Sequence, residues 1–332
     1  MAHIERFAFV ALILAGCGAG KVRGGDDQRP APTSSTSTVV RPAGRPSTIA
    51  DIPAPVDALV ASSTVLYALS KERGIVFAVP LNGHDASVLS SAEHEPFAVV
   101  VRREKPVWAT ADGVFTADGT NGRRALASGS IRALASGPDG VYYATEDAIW
   151  RADGSRAAPT KVVNDVQVRD ELVVVGRSLV WREGREMWRF DLDRSTRTKL
   201  SPDTQRKPHG LATDGHLVFW HEGDADLLPG RSPNAFVADP SKGWEIRTLE
   251  GDYESNRDYL IDDGSVFTEG KCGLLARAGF REFALHDPDI AVGPSVVAAN
   301  ARSWYWSEGV CKDGRCGATT RVFGVEKAAC RP

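Results

Sequence analysis

Several things are scarce or missing in this 332-residue chain, and each narrows the field. No long Lys or Arg run occurs, and the formal net charge is −3. A nucleic-acid binder needs a basic stripe to answer the phosphates, so that class is excluded. Beyond the first fourteen residues there is no long apolar run, whereas a bilayer core of roughly 30 Å takes about 20 helical residues to cross. No amphipathic helix of three turns stands out, which argues against helical layers. No Gly-x-Ser-x-Gly lies in a strand–turn–helix setting, and no Gly-x-Gly-x-x-Gly or phosphate loop lies in a βα setting. What remains is an ordinary globular balance of 42% hydrophobic and 25% charged residues, with 19 prolines and nine Asn-Gly or Asp-Gly steps. That balance excludes wholesale disorder and points to hairpins.

The amino terminus carries an address. Phe7 to Leu14 is an eight-residue apolar run preceded by Arg6, too short to span a membrane and suited to an export signal. It ends in Leu14-Ala15-Gly16-Cys17, which resembles the lipobox of bacterial lipoproteins. The resemblance implies a signal peptide over 1–16, cleavage before Cys17, a diacylglycerol on its thiol and acylation of the new terminus. Several acyl chains make a stable anchor. Within that family a residue other than Asp after the cysteine, here Gly18, favours the outer membrane. The plainer readings are a simple secretory signal or a buried N-terminal strand.

Residues 17–54 are rich in Gly, Pro, Ser, Thr and Arg and read as a flexible linker. A coil of this length reaches roughly 30–35 Å, enough to hold a domain just off a membrane. Val39, Val40 and Ile49 are the residues with which its far end would pair with a sheet edge.

From residue 55 to 332 the chain repeats. Aromatic clusters recur at Tyr67, Trp108, Tyr143, Trp181, Trp220, Phe267 and Trp306, with gaps of 41, 35, 38, 39, 47 and 39. A trailing series follows at Phe77, Phe115, Trp150, Trp188, Phe236, Leu275 and Phe323. Each unit divides into four short strands. In the third these are Ile131–Ala135, Val141–Ala144, Ala148–Arg151 and Lys161–Val163, with Asp-Gly supplying positive φ at the turns. A period near 40 with four strands per unit predicts an all-β fold, a β-propeller of seven four-stranded blades. The repeats resemble those of bacterial secreted propellers. A pair of β-sandwiches is the competing architecture. The last unit has little chain for a fourth strand, and the stretch between Val39 and Ile52 is the candidate to supply it.

Apart from Cys17, the cysteines are Cys272, Cys311, Cys316 and Cys330. An exported chain meets an oxidising compartment, and an even count suggests disulfides. Four cysteines allow three connectivities. The short Cys311–Cys316 turn favours a bridge across it, leaving Cys272 with Cys330. A four-thiolate zinc site is disfavoured by the absence of Cys-x-x-Cys steps.

His209, His216 and His221 cluster in the fifth unit, with Asp224 and Asp226 nearby. His209 and His221 read as lying at opposite ends of a hairpin, so solvated loop histidines are expected rather than a metal site. The longest insertion, His221 to Asn234, is expected between the second and third strands of its blade. It shares a face with the inter-blade links, and His221, Asp224, Asp226 and Arg231 are its candidate binding residues. The acidic pair is too sparse for a calcium loop. No catalytic residue, cofactor or metal is assigned.

The leading functional reading is therefore a monomeric, lipid-anchored envelope propeller that binds a protein, peptide or glycan. The alternatives are a lyase or hydrolase acting on a sugar or lactone, with its site in the central channel, and a structural envelope component. Fold alone does not choose among them.

Overall fold

The computed structural model describes residues 47–118, 122–154, 157–200, 208–222, 234–249, 260–262, 265–270, 273–278, 281–284, 296–312 and 315–326. Cys17, the export signal, Asp224, Asp226, Arg231, Cys272 and Cys330 lie outside the described residues.

The first strand among the described residues is β1 (Ser47–Ile52). Six groups of four strands follow. The first is β2 (Ala58–Ala61), β3 (Val65–Ser70), β4 (Ile75–Pro80) and β5 (Ser87–Ser90). The second is β6 (Ala98–Arg102), β7 (Lys105–Thr110), β8 (Gly113–Asp118) and β9 (Gly122–Ser128). The third is β10 (Ala133–Ser136), β11 (Val141–Ala144), β12 (Ala148–Ala152) and β13 (Thr160–Asn164). The fourth is β14 (Leu172–Val175), β15 (Ser178–Glu183), β16 (Glu186–Asp191) and β17 (Thr196–Lys199). The fifth is β18 (Pro208–Thr213), β19 (Val218–Glu222), β20 (Asn234–Asp239) and β21 (Glu245–Leu249). The sixth is β22 (Leu260–Asp262), β23 (Ser265–Gly270), β24 (Gly273–Ala278) and β25 (Arg281–Ala284). Last come β26 (Val297–Ala299), β27 (Ser303–Lys312) and β28 (Arg315–Glu326). One 3-10 turn, Pro240–Lys242, is the sole helical element among the described residues.

Each group of four is one antiparallel sheet in sequential order, and β1 completes a further sheet in the order β1-β28-β27-β26. The first strands touch in a cycle: β2 with β6, β6 with β10, β10 with β14, β14 with β18, β18 with β22, β22 with β26, and β26 with β2.

The core lies between sheets. Trp108, Trp181, Trp220 and Trp306, one on the second strand of each of four sheets, are fully buried. Their cross-strand partners are Phe115, Trp188, Phe236 and Phe323, and Tyr143 pairs with Trp150. Trp220 and Trp306 stack on their partners at 5.6 Å between ring centroids. Such pairs contribute about 0.5–1.5 kcal/mol beyond area burial. Two members of the trailing series are not register partners of the first: Ala78, not Phe77, faces Tyr67, and Ala276, not Leu275, faces Phe267. A strand alternates faces with period two, so a one-residue step moves a side chain to the other side of the sheet. Phe77 accordingly joins the cluster that packs the first sheet against the last, whereas Tyr67 packs towards Trp108 of the second.

Only half of the described Asn-Gly and Asp-Gly steps use positive φ: Gly83, Gly154 and Gly215 do, and Gly113, Gly122 and Gly140 do not. Space explains the second group. A Cβ at Gly140 would sit 2.6 Å from Arg151 Cγ, and one at Gly113 would sit 2.9 Å from the Ala127 carbonyl oxygen.

The expected linker, 17–54, ends too late. Ser47–Ile52 is strand, and Ile52 and Ala54 are wholly buried. Ile52 is register partner to Thr320 and joins Leu59, Leu66, Tyr305 and Val322 in one cluster. Ile49 packs against the same cluster, so among the described residues the isoleucines of this polar segment are the ones that dock, whereas Val39 and Val40 lie outside them. Asp51 adds a two-point ion pair with Arg321, at 2.8 and 3.0 Å. The Arg321 hydrogen bond holds the Asp51 carboxyl below its ordinary range, against a smaller burial effect. Both side chains are well exposed, so the pair adds little beside Ile52.

Ile52→Ala is expected to destabilise the fold by about 2–5 kcal/mol, because it opens a cavity at the contact of three chain segments. Urea unfolding measures this. A loss under about 1 kcal/mol would mean that β1 contributes little to the sheet.

Candidate functional site

The 223–233 loop leaves β19 and returns as β20, so it joins second and third strands as expected. Turns in this position share an end of the sheets with the inter-sheet links. Glu93 N donates to Gly74 O, Ile131 N to Ala111 O and Val166 N to Asp147 O. Of the residues singled out there, His221 alone is described. It is the register partner of His209 across β18 and β19. The two were expected at opposite ends of the hairpin. Antiparallel pairing instead brings the start of one strand beside the end of the next. His216 lies at the far turn, exposed, with its N–H bonded to Asp214 Oδ1 at 2.8 Å. Among the described residues no three His, Cys, Asp or Glu side chains gather as a metal would require.

The same end of the sheets carries a motif that the sequence reading passed over. Trp-x-Glu occurs at 181–183, 220–222 and 306–308, and Glu269 follows Phe267 at the same spacing. The indole N–H of Trp181 donates to Glu183 at 3.3 Å, that of Trp220 to Glu222 at 3.4 Å and that of Trp306 to Glu308 at 2.9 Å. Residues two apart on a strand share a face, so the carboxylate closes the wedge above its own tryptophan. Glu222 and Glu308 are almost fully buried.

Between the fourth and fifth sheets, buried Arg182 meets the partly buried Glu171 and the exposed Asp170. It bonds Asp170 and donates to Pro208 O at 3.3 Å. Its Nε lies 3.4 Å from Glu171 Oε2, close enough for attraction but outside hydrogen-bond geometry. Glu171 Oε1 accepts from Gly210 N at 2.7 Å and Leu211 N at 3.2 Å. Burial pushes the Glu171 carboxyl above its ordinary range, with Arg182 opposing. Asp170 and Glu171 thus converge on one arginine, and their charges join two sheets.

The opposite end of the sheets is stitched together by its turns. Asn300 Nδ2 donates to Ser62 O at 2.9 Å, joining the last sheet to the first. Ser63 N and Oγ donate to Glu104 Oε2 at 2.8 and 2.6 Å, joining first to second. Arg102 Nη2 donates to Asp139 O at 3.2 Å, joining second to third. Arg177 Nη1 donates to Asp139 Oδ2 at 3.0 Å, joining third to fourth.

A cleft of about 510 Å³ opens here between the second and third sheets. Its rim carries Arg102, Arg103, Lys105 and Arg124, and Val107, Leu126 and Val141 line it too. Arg103 and Glu104 form a two-residue hairpin turn with φ of 49° and 64°. That conformation ordinarily calls for Asn-Gly. Neighbours hold it: Ser63 grips the Glu104 carboxylate, and Tyr67 Oη donates to the Glu104 carbonyl at 3.0 Å. Arg102 donates to the carbonyls of Asp153 and Asp139, and Arg124 to that of Gly154 at 2.8 Å. Gly154, at φ +81°, leaves this room, since a Cβ there would lie 2.8 Å from Arg102 Nη1. Burial and the adjacent Arg103 depress the Arg102 pKa, outweighing the pull of Asp153 and Asp139. Asp139 answers other cations, Arg151 at 3.1 Å and Arg177 at 3.0 Å, and accepts from Tyr142 Oη at 2.7 Å. Burial and that bond push the Tyr142 hydroxyl up to about 12. The cleft gave no signal in sequence, because its cations come from a turn without Gly and from a strand two elements away. A second cleft, of about 470 Å³, meets the first at Leu126 and is lined by Ala125, Ala127, Tyr143 and Trp150.

No family model and no curated protein matches this chain. Solved structures do. A streptogramin B lyase aligns with TM-score 0.60 at 8% identity, over 83% of this chain and 94% of that one. The WD40 domain of Pan2 from Neurospora crassa gives 0.57 at 10%, over 84% and 95%. The N-terminal domain of Nup159 gives 0.54 at 8%, over 84% and 95%. At such identities the likeness shows the fold, a β-propeller, and no activity.

Glu171 sets a pH signature. A carboxyl whose folded pKa exceeds its unfolded value, here 4.5, stabilises the fold below that value. That contribution is lost as the pH rises through the folded pKa. The stability of the parent protein minus that of Glu171→Gln is therefore expected to fall as the pH rises above 4.5 in urea unfolding. A difference that rises with pH would show that Arg182, not burial, governs the site.

Proposed function

We propose that this chain is a seven-bladed propeller, tethered to the bacterial outer membrane through acylated Cys17, that serves as a binding module. The cycle of first-strand contacts, closed by β26 against β2, supports seven blades in one ring. Pairing of β1 with β28 supports a ring held shut by its two chain ends. Cys311 and Cys316, register partners across β27 and β28, are the pair we assign to a disulfide.

The observation that carries the binding reading is the pair of clefts between the second and third blades. Tyr143 and Trp150 pack in this wedge as aromatic pairs do in others, yet beside them β9 contributes Ala125, Leu126 and Ala127, and the space stays open to solvent. Clefts of 300–1,000 Å³ are the usual scale of ligand sites. A protein partner, a peptide or a glycan end fits this scale.

Capture from envelope extracts tests the reading. Leu126→Trp is expected to remove bound partners while leaving the melting temperature within about 2 °C. Deletion of 223–233 is expected to leave them in place. The reverse pattern moves the binding surface to the loop face, and unchanged capture in both overturns the reading. Cys17→Ser is expected to shift the protein from the membrane to the soluble fraction. A protein that still pellets with membranes refutes the anchor.

A further inference from the structure

The charges around the first cleft suggest what it accepts. The whole chain is net negative, yet three cations, Arg102, Arg103 and Lys105, fall within four residues on one hairpin. That hairpin holds two non-glycine residues in left-handed conformation, and contacts from the neighbouring blade keep it there. Its geometry is therefore set before any ligand arrives, which lowers the ordering cost of binding. Arg103 and Lys105 are exposed at the mouth. Of the two acids that line the cleft, Asp139 is committed to Arg151, Arg177 and Tyr142, while Asp153 attracts Arg102. Carbonyl oxygens orient the Arg102 guanidinium, and Arg103 and Lys105 add the exposed charge. Deeper in, Val107, Leu126 and Val141 offer an apolar wall.

We propose that this cleft binds a small organic anion, a phosphate or carboxylate on an apolar body. The charged group sits among Arg102, Arg103 and Lys105, and the body lies against Leu126. A guanidinium fork matches the planar oxygen pairs of either anion, and a lysine adds a point charge. The proposal rests on the cleft being the binding surface of the module and adds the chemistry of its ligand.

Calorimetric titration of the folded domain tests it with four probes: phenyl phosphate, benzoate, inorganic phosphate and neutral benzyl alcohol. Phenyl phosphate and benzoate are expected to bind one to one, and the stronger of the two tells whether the source is a phosphate ester or a carboxylic acid. Inorganic phosphate is expected to bind at least about threefold more weakly, since it forfeits the apolar contact. The double variant Arg103→Glu, Lys105→Glu changes two exposed side chains and is expected to weaken both aromatic anions by about tenfold or more. In the unaltered protein, raising salt from about 20 to 500 mM is expected to weaken them several-fold, which needs no variant to fold. Equal binding of benzyl alcohol, indifference to salt, or no binding of either anion at about 10 mM would overturn the proposal. If those failures came while Leu126→Trp still abolished capture from extracts, the binding reading would stand and the anion would not.

Discussion

Every sheet in this protein is too small to bury its own faces, and the rest follows from that constraint. Four strands, mostly of four to six residues, expose apolar side chains on both sides. Neighbouring sheets must cover them, and among the described side chains the second-strand aromatics Trp108, Tyr143 and Trp181 pack in the gap. A cluster such as Val107, Val114, Leu134, Val141 and Tyr143 belongs to no single sheet. Stability is then a property of contacts between repeats, and the terminal repeats carry the greatest burden. That burden explains why a residue as far upstream as Ile52 is fully buried against the last sheet.

The two ends of the sheets meet the same constraint differently. At the end with the inter-sheet links, buried carboxylates answer buried indoles, and charge is turned inward to complete the wedge. At the other end, turns reach across to the next sheet through serine, arginine and asparagine. One such turn, at Arg103 and Glu104, sits in a backbone conformation that its residues disfavour. It survives because contacts from another sheet over-determine it. The cationic cleft lies beside that turn, with Val107, Leu126 and Val141 in its wall.

Much of this was legible in the residue pattern. The aromatic spacing located the second strand of each repeat, since a buried wedge demands a large side chain once per repeat. The trailing series fell on the third strand of every repeat. Which residue faces the second-strand aromatic was not legible at Phe77 and Leu275, where the partner is an alanine and leaves no mark. Asp-Gly steps marked turns, yet Gly140 and Gly113 are glycines for want of room, a reason that local turn chemistry does not contain. The Trp-x-Glu repeat was visible and unread, because a strand's two-residue period gives it meaning only once the tryptophan is known to be buried.

By itself the residue order determined the all-β class, the four-strand unit, the position of the long fifth-unit loop and the candidate export signal. Each is a local matter of periodicity, turn propensity or hydrophobic length. Only the folded arrangement decided that Ser47–Ile52 belongs to the last sheet, that His209 and His221 are neighbours, and that Arg102, Arg124 and Asp139 surround one cleft. Those facts join residues up to some 270 positions apart, and no pattern read along the chain records which distant surfaces must cover one another.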